Sequence, residues 1–556
     1  MKKATRNHLA LLLAAALSLG TLAGCGAAPD EPAPQETSPA IQTETAPTPQ
    51  TANESENGEN ENDLLRALEY DPEEMPNGPK SVIFLQGTWY EMGYQYGTQV
   101  PDVVKREAAI GLAKKINNYG YDVASAEADY YIAHYETHMP ELLDLYHGMA
   151  DAVGLDYHDF VTGILYFSGV MNTDTEDSDA EKTGCSNIAA WGSQTVDGEL
   201  IVGANLDLYD EYHYYVPSVV AYPDDGNAFV TSSGFFCNMV LNEKGLVITG
   251  SSGQSAGEGD RAIGMSPTVG CSVLAARCDT AEEAADEYIK DGRLCFGDNF
   301  HGEDINGGHV IVESSPAHYA KRHPGDFGEK DYLIATNDFM TEEMQSSLLP
   351  AGSGYDDCRP RYWTEERVLL DANGKATAET IAKAIGSNRY YADGKWVDDN
   401  WNYEYGLFCP EAISPSFQTI AQSIVVASKA ALYVRNGCGN TLVSFNPNAT
   451  GNFVKLVLAD TMESTCSSLR NTAAALIFEA GGVIYHSGDE DTSAMEASLR
   501  LAKEAIVKGD NYKAFAACAS DEDTARLYYG KACSSFLEAQ DYAQTAAGDT
   551  FAVLRY

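Results

Sequence analysis

Gly184-Cys185 is the dipeptide whose residue types and position best suit nucleophilic chemistry. An acidic stretch ends there and a strand pattern begins. If the peptide bond before Cys185 were cut, Cys185 would carry both a thiol and a free α-amine. Such an amine has a pKa of about 7.7–8, so it can act as general base near neutral pH, and the thiol then needs no separate histidine. The glycine permits the strained backbone geometry that favours attack of the thiol on the preceding carbonyl.

The stretch before this dipeptide, from Met171 to Gly184, has no large apolar residue after Met171. It predicts an exposed loop. A calcium-binding loop is the alternative, but the glycine and the distal glutamate of that motif are missing. Cleavage in this loop would give two chains, one ending at Gly184 and one starting at Cys185. We expect them to stay together as a heterodimer, because the helices of the first chain need the sheet to bury their apolar faces.

A series of motifs around Cys185 resembles one enzyme family. Gly184-Cys185-Ser186-Asn187, Thr195-Val196-Asp197-Gly198 and Gly203-Ala204-Asn205-Leu206-Asp207 occur in the order found at the start of the mature chain in N-terminal-nucleophile (Ntn) hydrolases. The branch with penicillin (isopenicillin-N) acyltransferase and carcinine hydrolase is the most similar, and the choloylglycine hydrolases are more distant. The other matching segments are Gly87 to Gly97, Asn242 to Leu246, Ala335 to Phe339, Arg361-Tyr362 with Val368 to Leu370, and Gln418 to Val434.

The resemblance implies a mechanism and a role for each matched residue. Cys185 is the nucleophile and its own amine is the base. Asp207 orients that amine, and Asn337 donates to the developing oxyanion or the substrate carbonyl. Arg361 completes the set, with Arg359 competing for its role. The implied enzyme is an autoproteolytically activated cysteine amidohydrolase or acyltransferase for linear amides. It works through an acyl-Cys185 intermediate, without a metal or organic cofactor, and its partner is a small-molecule amide substrate.

The chain departs from the family pattern near the substrate. Ala204 stands where bile-salt-type relatives carry arginine, and Ser252 falls near the place of their oxyanion asparagine. Asn205, Tyr209 and Ser252 are the candidate substrate-lining residues. An aromatic run that begins at Tyr209 could line an acyl pocket or form an amphipathic surface, and the sequence leaves both open.

The elements that must position these residues form three blocks. Apolar residues at three- and four-residue spacing predict helices over Val100 to Tyr119, Ala124 to Glu136 and Pro140 to Val153. Short strands separated by turns follow Cys185, and helices return from Ser464 to about Ala546, with the hint of a helical hairpin around Gly509-Asp510. The pattern indicates an α+β protein, and the resemblance implies a four-layer αββα sandwich with a helical pro-segment and extra C-terminal helices.

The N-terminus predicts a bacterial lipoprotein. Lys2, Lys3 and Arg6 precede an apolar run, and Leu22-Ala23-Gly24-Cys25 resembles a lipobox with Cys25 as the lipidated residue. The expected location is the outer face of the cell membrane, held by this lipid anchor. The predicted organisation is signal peptide and lipobox 1–25, disordered tether 26–78, helical pro-segment 79–184, catalytic core 185–462 and C-terminal helical region 463–556.

The net charge and the cysteine content limit the kinds of partner that the chain is expected to bind. The chain has 36 Lys+Arg against 82 Asp+Glu, a net charge of −46 at pH 7. Such an acidic surface disfavours nucleic acid and electrostatic attachment to anionic lipid. The 12 cysteines show no metal-binding spacing and predict buried thiols or one or two disulfides.

Two other functions remain as alternatives. A papain-like cysteine peptidase could use the histidine of Gly308-His309-Val310, but its cysteine should sit at a helix N-terminus. A non-catalytic solute-binding lipoprotein should show βαβ alternation, which the run of strands does not favour.

Overall fold

The computed structural model describes residues 81–167, 184–209, 217–235, 239–253, 267–290, 297–315, 318–348, 358–387, 389–398, 417–436, 452–488 and 491–556. The predicted signal peptide with Cys25, the tether and residues 171–183 of the acidic stretch lie outside this part. So do residues 210–216, which hold most of the aromatic run that begins at Tyr209. None of the described helices is long and apolar enough to cross a membrane.

Twelve α-helices occur in the described residues. They are α1 Trp89–Gln99, α2 Pro101–Tyr119, α3 Tyr121–His138, α4 Pro140–Val153, α5 Tyr157–Phe167, α6 Pro267–Arg277, α7 Ala281–Lys290, α8 Cys358–Asp371, α9 Ala378–Ile385, α10 Met462–His486, α11 Ser493–Ala517 and α12 Glu522–Ala547. The three helices predicted before Cys185 are present as α2, α3 and α4, with bounds shifted by no more than three residues.

Sixteen strands form two large sheets and one hairpin within the described residues. They are β1 Val82–Gly87, β2 Gly184–Ala190, β3 Ile201–Tyr209, β4 Ser218–Pro223, β5 Phe229–Thr231, β6 Met239–Asn242, β7 Leu246–Ser252, β8 Asp298–Asp304, β9 His309–Ser314, β10 Tyr319–Arg322, β11 Tyr332–Ala335, β12 Arg389–Ala392, β13 Lys395–Asp398, β14 Phe417–Val426, β15 Ala431–Asn436 and β16 Val454–Val457. One sheet has the order β1-β4-β5-β6-β7-β8-β9-β10 and the other β11-β2-β3-β14-β15-β16.

Alternation along the strands divides most of the core of the described residues between two large clusters. Ile83 and Leu85 of β1 pack with the helices before Cys185 and with α6 and α7. Their neighbours Val82 and Phe84 point the other way, into a cluster that includes Ile188 of β2 and residues of α9, α10 and α12. Since successive strand side chains face opposite sides, both faces of β1 are buried. The protein is therefore a mixed α+β structure whose sheets are covered by helices.

The segment before Cys185 contributes a strand as well as helices. β1 pairs in parallel with β4, and this is the one parallel pair between the described strands. Glycines explain part of the motif that follows β1. A Cβ on Gly93 of α1 would lie 2.1 Å from the Leu145 carbonyl oxygen, and one on Gly148 of α4 would lie 2.1 Å from the Tyr90 carbonyl oxygen. The motif thus serves close packing of α1 on α4.

Helix α12 closes an edge of each sheet. The Val82 N–H of β1 donates to Ser534 Oγ at 3.0 Å. The Lys455 N–H of β16 donates to Gln540 Oε1 at 2.8 Å. Strands β1 and β16 are the edge strands of their sheets. Because an uncovered edge leaves backbone groups free to pair with another chain, the C-terminal helices satisfy and protect both sheets.

A disulfide joins Cys466 of α10 to Cys533 of α12, across 67 residues of sequence. Cross-linking a loop of this length removes unfolded-state entropy, so we expect the double variant Cys466→Ala/Cys533→Ala to lose about 2–4 kcal/mol of unfolding free energy. Urea denaturation followed by circular dichroism measures the loss. An unchanged midpoint and slope would show that the bond adds nothing to stability.

Candidate active site

Cys185 lies at the start of β2, and the β2–β3 hairpin sets what surrounds it. The antiparallel register places Gly184 opposite Asp207 and Cys185 opposite Leu206. Asp197, with φ of 61°, turns the chain between the two strands. Paired residues of such a ladder share a face, so the Cys185 side chain lies on the Leu206 face and Asp207 on the other. The backbone of Asp207 is nevertheless next to the Gly184–Cys185 peptide bond.

Both backbone groups of Cys185 are held by side chains from other elements. Its N–H donates to Asn337 Oδ1 at 3.0 Å, just beyond the end of β11. Its carbonyl oxygen accepts from Arg361 Nη1 of α8 at 2.7 Å. Cys185 itself is buried, with 4% of its surface exposed. Cys185 is therefore buried and held through the peptide bonds on both sides of its Cα.

Groups around the Cys185 thiol change its pKa in opposite directions. Burial raises its pKa, and the Asp207 carboxylate raises it further. The backbone N–H groups of Asp207 and Ser252, which hydrogen-bond the sulfur, and the Arg361 charge act in the opposite direction. The net result is a pKa raised to about 12. In the uncleaved chain the thiol is protonated at neutral pH, and a base must remove its proton before it can attack.

This pKa predicts slow alkylation of Cys185 in the uncleaved chain. Iodoacetamide reacts with the thiolate, and far below the pKa the thiolate fraction rises about tenfold per pH unit. The rate of alkylation of Cys185 should therefore rise about tenfold per pH unit between pH 7 and about 9.5. Peptide mass spectrometry separates the peptide spanning Gly184-Cys185 from one beginning at Cys185. The exposed Cys518 provides an internal reference for the reagent. A plateau of the Cys185 rate below pH 9 would contradict the raised pKa.

Arg361 and Asn337 form the hydrogen-bonded frame of the site. Arg361 is 1% exposed and lies in the first turn of α8. Its Nη2 donates to Asn337 Oδ1 at 2.8 Å and its Nη1 to Ser186 Oγ at 3.2 Å. Asn337 Nδ2 donates to the Ser252 carbonyl oxygen at 2.8 Å. The side chain of Asn337 thus accepts from the nucleophile's nitrogen, and one hydrogen of its amide is left for another acceptor.

Asp207 is fully buried, and its carboxylate is fixed by the next strand. Thr419 Oγ1 of β14 donates to Asp207 Oδ1 at 2.6 Å, and the register pairs the two residues directly. The structure therefore brings Asp207, Asn337 and Arg361 together around Cys185. Thr419 was not singled out by the sequence, although it lies in the matched segment that begins at Gln418, and its position opposite Asp207 depends on strand pairing.

The other predicted site residues have different surroundings. Asn205 Nδ2 donates to the Ile385 carbonyl oxygen at 2.5 Å, and its Oδ1 accepts from Gln422 at 2.6 Å. Its side chain faces α9, away from the thiol. Arg359 pairs with Asp338 and donates to the Phe339 carbonyl oxygen. Of the two arginines, Arg361 is the one that contacts Cys185.

The two remaining substrate-lining candidates contribute backbone positions. Tyr209 is the last residue of β3 and pairs with Phe417. Ser252 contacts the site through its backbone N–H and carbonyl groups. The serine in this position therefore supplies backbone contacts to the thiol and to Asn337.

The histidine of the peptidase alternative lies far from the thiol. His309 stacks on Trp191 with ring centroids 3.6 Å apart, and its Nδ1 contacts Glu303. Trp191 follows the last residue of β2 and lies six residue steps from Cys185. At about 3.3 Å per step this is about 20 Å. Cys185 also opens a strand. The structure therefore does not assemble a papain-like pair.

Among the described residues, no group of three or more His, Cys, Asp or Glu side chains is arranged to hold a metal ion.

Comparison with known proteins gives structural similarity alone. No protein-family model and no curated protein matches the sequence. Among solved structures, a mutant of conjugated bile acid hydrolase from Clostridium perfringens is similar at 13% identity over 45% of this chain and 89% of that one, with a TM-score of 0.29. Penicillin V acylase from Agrobacterium tumefaciens is similar at 12% identity over 50% and 87%, with a TM-score of 0.29. Similarities this distant carry no functional argument, so the function is inferred from the geometry around Cys185.

Proposed function

We propose that this chain is an autoproteolytic Ntn amidohydrolase or acyltransferase with Cys185 as its nucleophile. The observation that carries the proposal is the way Cys185 is held. Its nitrogen is bound by Asn337, its carbonyl by Arg361 and its thiol by two backbone amides, and the Asp207 charge on the other face of the strand pair raises the pKa of the thiol. A buried structural cysteine in a strand would instead pair its backbone groups with a neighbouring strand and pack its thiol among apolar side chains.

Activation is a cleavage of the Gly184–Cys185 bond by the thiol itself. The thiol proton passes to a water molecule, and the sulfur attacks the Gly184 carbonyl carbon. The C–N bond breaks, the proton passes to the departing nitrogen, and a thioester links Gly184 to Cys185. Water then hydrolyses the thioester, which leaves a carboxylate at Gly184 and a free amine and thiol at Cys185. Arg361 and Asn337 hold Cys185 in place through these steps.

Turnover uses the amine made by that cleavage. The amine takes the thiol proton, and the thiolate attacks the carbonyl carbon of a substrate amide. Asn337 Oδ1 keeps the amine oriented, and the second hydrogen of its Nδ2 donates to the oxyanion. The substrate amine leaves with a proton, and water or an acceptor amine releases the acyl group from Cys185.

The proposal includes the larger organisation expected from the sequence. In this proposal the two sheets and their covering helices are the layers of a four-layer αββα sandwich. Residues 79–184 form the small chain, 185–462 the catalytic core and 463–556 a helical region that closes the sheet edges. Lipidation at Cys25 would hold this heterodimer at the outer face of the membrane by way of the 26–78 tether.

The acyl-enzyme provides the test. Purified protein is incubated with a panel of N-acyl amino acids, N-acyl amines and penicillins, quenched in acid and digested. We expect at least one substrate to add the mass of its acyl group to the peptide beginning at Cys185, with release of the matching amine. Amine release with the acyl group on another residue, or with no dependence on Cys185, would overturn the assignment.

A further inference from the structure

Asn337 owes its position to the opposite sheet as well as to its own. It follows β11 of the six-stranded sheet, yet contacts reach the Thr336-Asn337-Asp338 segment from β7 and β8 of the eight-stranded sheet. Ser251 Oγ donates to the Thr336 carbonyl oxygen at 2.5 Å. Asn299 Nδ2 lies 2.9 Å from the same oxygen and 3.4 Å from the Asp338 carbonyl oxygen. The two side chains thus bind the backbone on both sides of Asn337.

We infer that Asn299 and Ser251 form a clamp that positions Asn337 against the nitrogen of Cys185. This inference rests on the proposed function and adds two positioning residues to it. The clamp joins the two sheets at the site itself, because Ser252, next to Ser251, also bonds Asn337 Nδ2 through its carbonyl group. Asn299 and Ser251 are directly paired across β8 and β7.

The side-chain amide of Asn299 donates to carbonyl oxygens through its Nδ2. Its Nδ2 faces the Thr336 and Asp338 carbonyl oxygens and the Ser251 hydroxyl, so the orientation of its amide follows from its partners. Asn299 is 1% exposed, and its buried Oδ1 has no hydrogen-bond partner among the residues that the structure describes. A buried unsatisfied oxygen is destabilising. The residue therefore contributes through its Nδ2 donor, which contacts the segment that carries Asn337.

Helix α8 also contacts this segment. Thr336 Oγ1 donates to the Cys358 carbonyl oxygen at 3.2 Å, and Arg361 bonds the Asn337 side chain. Loss of the clamp should leave the Ser252 carbonyl oxygen as the contact of Asn337 with the opposite sheet and let Asn337 shift relative to Cys185. A small displacement of an orienting group affects the rate of the chemical step more than the binding of a substrate.

Asn299→Asp tests the clamp, since it keeps the shape and replaces the donor with a carboxylate. We expect the cleavage rate at Gly184–Cys185 and the kcat of cleaved protein to fall about 10- to 100-fold, with KM changed less than about threefold. The ratio of the variant's kcat to the wild-type kcat at the same pH should rise as the pH falls. A protonated aspartate can again donate a hydrogen bond to the Thr336 carbonyl oxygen. A merely structural residue would not give this recovery.

Asn242→Asp is the matched control. Asn242 is equally buried and in the same sheet, but its Nδ2 donates to the Ala275 and Cys278 carbonyl oxygens, away from the site. It should lower Tm without a specific loss of kcat. Ser251→Ala removes only the hydroxyl that donates to the Thr336 carbonyl oxygen and should lower kcat about 3- to 10-fold. This variant tests the clamp if Asn299→Asp fails to fold.

Wild-type kcat in Asn299→Asp or in Ser251→Ala would overturn the clamp, as would a kcat loss equal to that of Asn242→Asp. Turnover that survives in Cys185→Ala would instead refute the proposed function itself. The two failures are therefore distinguishable in one set of variants.

Discussion

Cys185→Ala should abolish both cleavage of the chain and amide turnover while the protein remains folded. Without the sulfur there is no nucleophile for the Gly184 carbonyl and none for a substrate. The backbone contacts of residue 185 to Asn337 and Arg361 do not depend on the side chain, so the frame of the site should persist. Electrophoresis under denaturing conditions, an amine-release assay and a thermal melt measure the three outcomes.

Cys271→Ala is the matched control for this variant. Cys271 is also a buried cysteine outside the disulfide, on helix α6, but it packs in the apolar cluster that covers the eight-stranded sheet. It should reduce Tm modestly and leave cleavage and turnover intact. If Cys185→Ala behaved in the same way, the role of Cys185 would be packing.

Asp207→Asn should lower kcat of cleaved protein by about 10²-fold or more. The asparagine keeps the shape, and its Oδ1 can still accept from Thr419, so the fold should be retained. The lost charge is what stabilises the ammonium formed when the Cys185 amine takes the thiol proton. Steady-state kinetics must be measured on protein already cleaved before Cys185.

The same variant predicts opposite changes in two properties of the thiol. The Asp207 carboxylate raises the pKa of Cys185, so its removal should lower that pKa and speed alkylation in the uncleaved chain. Self-cleavage should nevertheless slow, because the charge that stabilises the protonated nitrogen departing from Gly184 is gone. Asp304→Asn provides the control, since Asp304 is buried in the same way but bonds the backbone of the β8–β9 turn. Near-normal kcat in Asp207→Asn would make this carboxylate structural.

Local patterns were sufficient for many elements and for the main site residues. Helical periodicity predicted α4 with its observed bounds, Pro140–Val153. The resemblance named Cys185, Asp207, Asn337 and Arg361, and the structure brings these four together. Their catalytic roles remain predictions. Other matched residues have structural roles: Asn242 Oδ1, for example, accepts from the Lys244 and Leu246 N–H groups and stabilises the β6–β7 turn.

Features that depend on pairing between distant segments were not predictable. β1 lies in a segment that the sequence indicates as helical, and its place in the sheet is decided by β4, which is far along the chain at Ser218–Pro223. The contacts of Asn299 and Thr419 arise in the same way. The helical hairpin suggested around Gly509-Asp510 was wrong. α11 continues through both residues, and Gly509 permits contact with the Phe536 ring.

The mass of the mature protein tests the central claim most directly. Intact-mass and N-terminal peptide analysis of active protein should find a chain that begins at Cys185 with a free amine, together with an associated chain that ends at Gly184. Activity should appear in step with this chain during maturation. A fully active protein in which the Gly184–Cys185 bond remains intact would contradict the proposed mechanism.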